Sequence, residues 1–329
     1  MSWIFKLGLV AAALWSGYWF LGAEAQEEAF DRFIAESRAQ GWMAESESRD
    51  LAGFPNRFDT TFTGLNFQTP NGQWGWQGRN FRIMALSYRP NHIIMAWDGP
   101  QVLHMPSSDL SANAARLRAS VVVAPATNVP LERLQIEGEE LALESPQGWA
   151  ASIASLNGAL FQNETTPTRY RLGLDLGNIT LPAALVSTLS GGAPLPRTLQ
   201  NLHLSARLDF DHEIDRFALV GGTAPKPVHA IIEPSNIIWG DSELTVQGTL
   251  STAANGYIDG RLEFNVQGWQ PLFKAYRTIS RLTPPQMDKL EQALQAASGG
   301  EALTFSVVFE NGLASIGPFT IGPAPVYPF

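Results

Sequence analysis

The sequence contains no cysteine and only four lysines among its 329 residues. Without cysteine, the chain cannot form disulfides, thiolate metal sites or a cysteine nucleophile. Charged residues make up 16% of the chain, the formal net charge is −9, and no run of Lys or Arg occurs. Nucleic-acid binding needs clustered cations that displace counterions from phosphates, so no nucleic-acid partner is expected.

The common catalytic and cofactor-binding motifs are also missing. The sequence has no GxGxxG, GxxxxGK[ST], HExxH or GxSxG, and its five histidines are scattered without metal-ligand spacing. We therefore expect no cofactor, no metal centre and no enzymatic activity. A hydrolase whose site is assembled from dispersed residues is an alternative, and it would be recognised by titratable groups converging in a pocket.

Apolar residues, by contrast, are abundant. They make up 45% of the chain and include ten Trp and eighteen Phe. This composition supports a large core and excludes wholesale disorder. Together with the low charge, it predicts either that much of the surface is buried or that some apolar surface faces something other than water.

The N-terminal segment has the composition of a membrane anchor. An apolar run at residues 7–23 follows Lys6, and its seventeen residues lie at the lower end of what spans a bilayer. Lys6 can snorkel to the near interface. The aromatic residues near the far end are typical of a membrane interface, namely Trp15, Tyr18, Trp19 and Phe20. Residues 1–23 are therefore predicted to cross the inner membrane once, with the N-terminus in the cytoplasm and the body in the periplasm.

The segment that follows favours retention of this anchor over cleavage. Phe30, Phe33 and Ile34 continue an apolar stripe at helical spacing, which predicts an amphipathic stalk over residues 24–40 that ends at Gly41. The alternative is a signal peptide cleaved after Ala25, because Ala23-Glu24-Ala25 fits the small-x-small pattern.

Alternating apolar residues dominate residues 41–329. Turn signals such as Asn255-Gly256 and Asn311-Gly312 separate the predicted strands. Helices are predicted at 182–189, at 269–276 and after the capping-box pattern that begins at Thr283. The expected fold is mainly β (α+β), with a long curved antiparallel sheet and a few covering helices after the transmembrane helix. A loose internal repeat of strand, helix and strand is predicted over about 131–210 and 239–310.

Two sets of residues stand out as site candidates. Acidic residues at every second position form a weak calcium candidate, although a solvated strand face is the favoured interpretation: Asp209, Asp211, Glu213 and Asp215. Four aromatic side chains are candidates for contact with lipid, although packing under a loop is favoured for the first two: Trp74, Trp76, Trp269 and Phe273.

Several motifs resemble a bacterial family, the domain-of-unknown-function family 2125. They are SGYWF at 16–20, GW at 41–42 and GFPNRF at 53–58. The stretch WGDSELTVQGTL at 239–250, followed by GYIDGRL at 256–262, looks like the strand pattern of AsmA-like envelope proteins. The resemblance implies an inner-membrane anchor, a periplasmic β-rich body and a role in envelope homeostasis or lipid handling. It brings no catalytic residues.

The anchor and the many apolar residues together predict a membrane protein that binds or shields lipid in an apolar groove. The expected partners are membrane lipid and other envelope proteins. A periplasmic interaction module with a packed core and no ligand is the alternative. A continuous apolar groove would favour lipid binding, and a closed core would favour the module.

Overall fold

A computed structural model describes residues 2–190, 195–218, 224–280, 282–298, 300 and 302–327. The chain divides into two compact units. Unit 1 comprises Met1–Gly148 and Asp215–Gly222, and unit 2 comprises Trp149–Ile214 and Thr223–Phe329.

Unit 1 begins with one long helix, α1, Ser2–Ala39. Its strands are β1 Met43–Glu45, β2 Ser48–Ala52, β3 Arg57–Gln68, β4 Gly75–Leu86, β5 Arg89–His104, β6 Leu110–Asn113, β7 Arg116–Val123 and β8 Leu131–Glu144. All their pairings are antiparallel. β1 and β2 share one edge of β3, and β6 and β7 lie end to end between β5 and β8.

The predicted end of α1 at Gly41 agrees with the structure. Gly41 has a φ of +85°, a left-handed conformation that costs glycine little. Its N–H donates to the Arg38 carbonyl, and the Trp42 N–H donates to the Ser37 carbonyl at 3.0 Å. These two bonds satisfy carbonyl groups that the end of a helix leaves unpaired.

The C-terminal half of α1 packs along β3 through aromatic rings. Trp19 stacks on Phe58, with ring centroids 5.8 Å apart, and Phe30 meets Phe62 edge to face. Gly22 permits the close approach, since a Cβ there would lie 2.6 Å from the ring of Phe58. The apolar stripe that predicted a stalk therefore covers part of the sheet in unit 1.

Unit 2 is a meander of sequential antiparallel strands. They are β9 Ala150–Gln162, β10 Arg169–Thr180, β11 Thr198–Phe210, β12 Pro227–Trp239, β13 Ser242–Thr252, β14 Ile258–Gln267, β15 Ala302–Glu310, β16 Leu313–Ile316 and β17 Phe319–Pro323. Each strand pairs with the next along the chain. The Asn255-Gly256 and Asn311-Gly312 signals both mark turns between neighbouring strands.

Among the described residues, three helices lie in the connections of unit 2. They are α2 Ala183–Ser190, between β10 and β11, and α3 Trp269–Ile279 and α4 Pro284–Ala297, between β14 and β15. The predicted capping box is present, because the Thr283 N–H donates to Gln286 Oε1 at 3.0 Å. The apolar faces of α3 and α4 pack on Val266 and Leu303 of the sheet to form the core of unit 2.

The predicted fold class is confirmed in its main features: mostly antiparallel β-structure, a few helices and a long apolar N-terminal helix. The prediction for the acidic run was wrong in one respect. β11 ends at Phe210, so of the four carboxylates only Asp209 lies on the strand. Alternating residues at 218–220 also predict a strand, but its described residue, Ala218, ends a short 3-10 turn, Arg216–Ala218. Residues 219 and 220 lie outside the described residues.

Candidate functional site

An apolar cleft lies in unit 2 between the helices α3 and α4 and one face of the sheet. Its volume is about 290 Å³, near the lower end of the range for small-molecule sites. Part of its boundary is open to solvent. It is lined by Leu244, Phe264, Val266, Trp269, Leu272, Phe273, Tyr276, Leu290, Leu294, Leu303, Phe305, Val307, Ile316 and Ile321.

Two sequence periodicities build this cleft. On β15, Leu303, Phe305 and Val307 alternate along the strand and therefore project to the same face. On α3, the lining residues recur at helical spacing from Trp269 to Tyr276, which turns one side of the helix toward the sheet. The strand and helix patterns were visible in the sequence, but neither specifies how much space remains between the two layers.

The lining offers few polar groups. None of the described lining residues is charged, and Tyr276 is the one titratable side chain among them. Trp269 is 4% exposed, and its indole Nε1–H has no hydrogen-bond partner among the described residues. A buried donor without a partner costs about 1–3 kcal/mol, so such a group is a candidate for contact with a ligand.

Ion pairs hold the two covering helices together. Arg277 of α3 donates to Glu291 of α4 at 2.8 Å and also to Asp288. These charged groups are partly exposed, as expected for ion pairs at the surface above an apolar interior.

The structure brings together two of the four predicted lipid-facing aromatics. Trp269 and Phe273 both line the cleft and meet edge to face, with ring centroids 5.8 Å apart. Trp74 and Trp76 belong to unit 1. Trp74 is exposed in the turn between β3 and β4, while the Trp76 indole donates to Gln101 Oε1 at 2.9 Å.

Some parts of the cleft were not predicted from the sequence. Ile316 and Ile321 come from the short strands β16 and β17, which the sequence pattern did not single out. Their alternation spans only four or five residues and includes Gly and Pro, which weakens a strand signal.

Asp209 and Asp211 of the acidic run are bound to other groups. Arg169 donates to both oxygens of Asp209, at 2.6 and 3.0 Å, and these hydrogen bonds lower the pKa of Asp209 and raise that of Arg169. Burial opposes ionisation of Asp211, but hydrogen bonds from Lys226 and His212 and the His212 charge give it a net lowered pKa.

The other two carboxylates of the run belong to Glu213 and Asp215. Asp215, in unit 1, accepts the Phe217 N–H at 2.9 Å, and Glu213 is half-buried. Within the described residues, no group of three or more His, Asp or Glu side chains is arranged to hold a metal ion.

The predicted interface aromatics of α1 contact the body of unit 1. The Trp15, Tyr18 and Trp19 side chains each donate a hydrogen bond to a backbone carbonyl of unit 1. Phe20 is exposed and stacks on Phe54. Lys6 is exposed in the N-terminal part of α1.

By length and composition, α1 can cross a membrane. One helix, Trp3–Ala39, meets this criterion among the described residues, and its most apolar stretch is almost entirely exposed. A signal sequence near the N-terminus would have the same properties.

The fold and the helix thus define a class: a mainly β protein with an N-terminal helix compatible with membrane anchoring. The chain belongs to the DUF2125 family, described as an uncharacterized protein conserved in bacteria, whose model matches residues 19–325. The match begins at Trp19, so the family region includes the part of α1 that packs on β3. No curated protein matches the chain.

Proposed function

We propose that this protein is a non-enzymatic, single-pass inner-membrane protein that holds a lipid acyl chain in the apolar cleft of unit 2. The observation that carries the proposal is the cleft itself, which has an uncharged lining and remains partly open to solvent. A core built only for stability would close, because interiors pack to high density and leave few voids larger than a water molecule.

Burial of methylene groups would supply the binding free energy. Each buried methylene contributes about 0.8 kcal/mol, so a chain that fills the cleft needs no charged partner. A free fatty carboxylate inside the cleft would lack a cation, and burying an unpaired charge is costly. The ligand we propose is therefore an esterified acyl chain, whose neutral carbonyl oxygen can accept the Trp269 N–H.

The proposed orientation follows the charges that flank α1. Lys6 lies at the start of the apolar run, and acidic residues such as Glu24 and Glu27 follow it. This order supports an orientation with the N-terminus in the cytoplasm and the β-rich body in the periplasm. The resemblance to AsmA-like proteins supports the same proposal, with a role in envelope homeostasis and with other envelope proteins as partners.

Retention of α1 is favoured by its packing. Ala23 is buried beside Trp19 and Phe58, and α1 runs through Ala25 without a break. A chain that starts at Gln26 would expose Phe58, which is 5% exposed in the structure. Sequencing the mature N-terminus by mass spectrometry tests this directly, and a start at Gln26 would remove the anchor.

The ligand proposal can be tested by photo-crosslinking. The full chain is placed in nanodiscs containing a phospholipid with a diazirine on one acyl chain, and crosslinked peptides are mapped by mass spectrometry. Lipid around the anchor should label α1. Lipid in the cleft should also label α3, α4 and β15.

Matched variants on β15 complete the experiment. Val307→Phe places a ring in the cleft and should abolish labelling of α3 and α4 while α1 remains labelled. Val308 is the next residue and projects to the opposite face of the strand, so Val308→Phe should leave both sets unchanged. Labelling confined to α1 in the unaltered chain would contradict lipid binding and favour the interaction module.

A further inference from the structure

Two turns of unit 1 are fastened to α1 at one level of the helix. The first joins β2 to β3 and contains Phe54 and Pro55, and the second joins β4 to β5 and contains Ser87 and Tyr88. The Trp15 indole donates to the Pro55 carbonyl at 3.0 Å, and the Tyr18 hydroxyl donates to the Ser87 carbonyl at 2.6 Å.

A third hydrogen bond holds α1 against the sheet at the same level of the helix. The Trp19 indole donates to the Arg57 carbonyl at 2.8 Å, and its ring is buried against Phe58. With three side chains bound to the backbone of two turns and of the first residue of β3, the helix can neither slide nor rotate freely against this end of the sheet. The height of the turns along α1 is therefore set by the fold.

The exposed part of α1 is shorter than the hydrocarbon core of a bilayer is thick. Residues 3–14 are all exposed, and at about 1.5 Å per residue they span roughly 18 Å. The hydrocarbon core is about 30 Å thick and needs about 20 helical residues. If α1 crosses the membrane, the helix must stay within it beyond Trp15, and the two turns meet the outer edge of the same bilayer.

The side chains on these turns have the chemistry of that edge. Phe54 is 52% exposed and stacks on the exposed Phe20, with ring centroids 5.8 Å apart, and Tyr88 is 57% exposed. Arg89 beside Tyr88 is exposed, and Arg57 is half-exposed and paired with Asp59. Aromatic rings and arginine side chains are favoured at the boundary between acyl chains and headgroups.

We propose that Phe20, Phe54 and Tyr88 form a membrane-docking collar that inserts into the outer headgroup–acyl boundary of the bilayer crossed by α1. Unit 1 is then seated on the membrane by its fold rather than suspended from a flexible stalk. This proposal rests on the anchoring part of the proposed function and is independent of the cleft.

The absence of native cysteine allows a direct test in the full chain. Phe54→Cys and Tyr88→Cys are each labelled with an environment-sensitive fluorophore and placed in nanodiscs of phosphatidylcholine and phosphatidylglycerol. Quenching is compared between lipids that carry a nitroxide near the headgroup and lipids that carry one deep in the acyl chain. Leu9→Cys serves as the deep control, and Asn71→Cys, in the turn at the other end of β3, serves as the aqueous control.

The collar predicts that labels at 54 and 88 are quenched more by the shallow nitroxide than by the deep one, while the label at 71 is quenched by neither. If the label at 9 is quenched by the deep nitroxide but those at 54 and 88 behave like 71, the collar is overturned and the anchor stands. If the label at 9 is not quenched, the anchor itself is overturned. Two independent collar sites protect the conclusion against a local disturbance at either one.

Discussion

Two buried tryptophans, Trp19 in unit 1 and Trp269 in unit 2, differ in how they pack between a helix and a sheet. Both sit on a helix that covers a sheet face, and they are 7% and 4% exposed. The Trp19 indole donates to the Arg57 carbonyl at 2.8 Å, whereas the Trp269 indole has no partner among the described residues. The first helix forms a closed contact, and the second borders a cleft of about 290 Å³.

The difference lies in what each helix places against its sheet. α1 runs along one strand, with Trp19, Phe30 and Phe33 each meeting an aromatic ring of β3. Flat rings and Gly22 allow close approach. α3 and α4 form a pair tied by Arg277, and they span several strands with leucines and a few rings. A two-helix cover that spans more sheet leaves space that side chains do not fill, and Trp269, whose indole N–H has no partner among the described residues, lines that space.

The largest effect is expected from Trp19→Ala. Truncating a buried Trp costs about 3–5 kcal/mol, because packing is lost and a cavity remains. Since local opening has its own free energy, the loss should appear as faster hydrogen exchange of the β3 amides in the full chain, measured by mass spectrometry.

Leu21→Ala is the matched control for Trp19→Ala, because Leu21 is exposed on the same helix. It should leave the β3 amides unchanged. Equal effects of the two variants would mean that α1 is not part of the folded unit and that the closed contact does not form.

A paired substitution tests the contrast between the two indoles. Trp19→Phe and Trp269→Phe remove the same atoms, so the loss of ring size is similar in both. Only Trp19→Phe breaks a hydrogen bond, with a net cost of about 0.5–1.5 kcal/mol. Without ligand, exchange of the β3 amides should rise in Trp19→Phe more than exchange of the α4 amides rises in Trp269→Phe.

When lipid is present and crosslinking is measured, Trp269→Phe should have the larger effect of the two variants. If the Trp269 N–H binds an ester carbonyl, Trp269→Phe should reduce crosslinking of the esterified diazirine lipid to α3 and α4. Trp19→Phe should not. An unchanged yield in Trp269→Phe would remove the indole from the ligand site while leaving the cleft in place.

Much of the fold was predictable from local patterns. The cap at Thr283 and the Asn255-Gly256 turn are short-range signals, and both are found as predicted. The stripe through Phe30 predicted a stalk, but in the structure it packs on β3. β9 was missed because its sequence, AASIASLNGALFQ, is rich in Ala, Ser, Asn and Gly, which carry weak strand propensity. Its partner β10 supplies the pairing that its own residues do not signal.

The candidate site was predictable only in part. Trp269 and Phe273 were selected from their aromatic character and do line the cleft, but the same reasoning selected Trp74 and Trp76, which do not. Whether a ring faces a cleft depends on the spacing between helices and sheet, and this spacing is a tertiary property. The sequence likewise does not show that the Trp269 N–H lacks a partner among the described residues.

A smaller effect is expected at the N-terminus of α4, one of the two helices that cover the sheet of unit 2. Gln286→Ala removes the acceptor for the Thr283 N–H and should cost about 0.5 kcal/mol. Amides in the first two turns of α4, near Met287 and Leu290, should exchange faster. Gln292→Ala, an exposed residue later on α4, is the control and should not alter that turn.

The smallest effect concerns a paired polar group, Asp209. Hydrogen bonds from Arg169 lower its pKa in the folded state, so its contribution to stability is present above the ordinary aspartate pKa of about 3.9. That contribution is lost as the pH falls through the lowered folded-state pKa. Asp209→Asn should therefore increase exchange of the β10 and β11 amides slightly at neutral pH, and the difference from the unaltered chain should shrink below about pH 4.

Asp241→Asn, at an exposed turn of unit 2, is the matched control for Asp209→Asn. It should leave the β10 and β11 amides unchanged at both pH values. Because the Arg169–Asp209 pair is partly exposed, salt should also reduce the effect of Asp209→Asn. A difference that persists at low pH would mean that Asp209 stabilises β11 through packing rather than through its charge. Polar bonds would then contribute less to the stability of these strands in unit 2 than the indole hydrogen bond of Trp19 contributes to the α1 contact in unit 1.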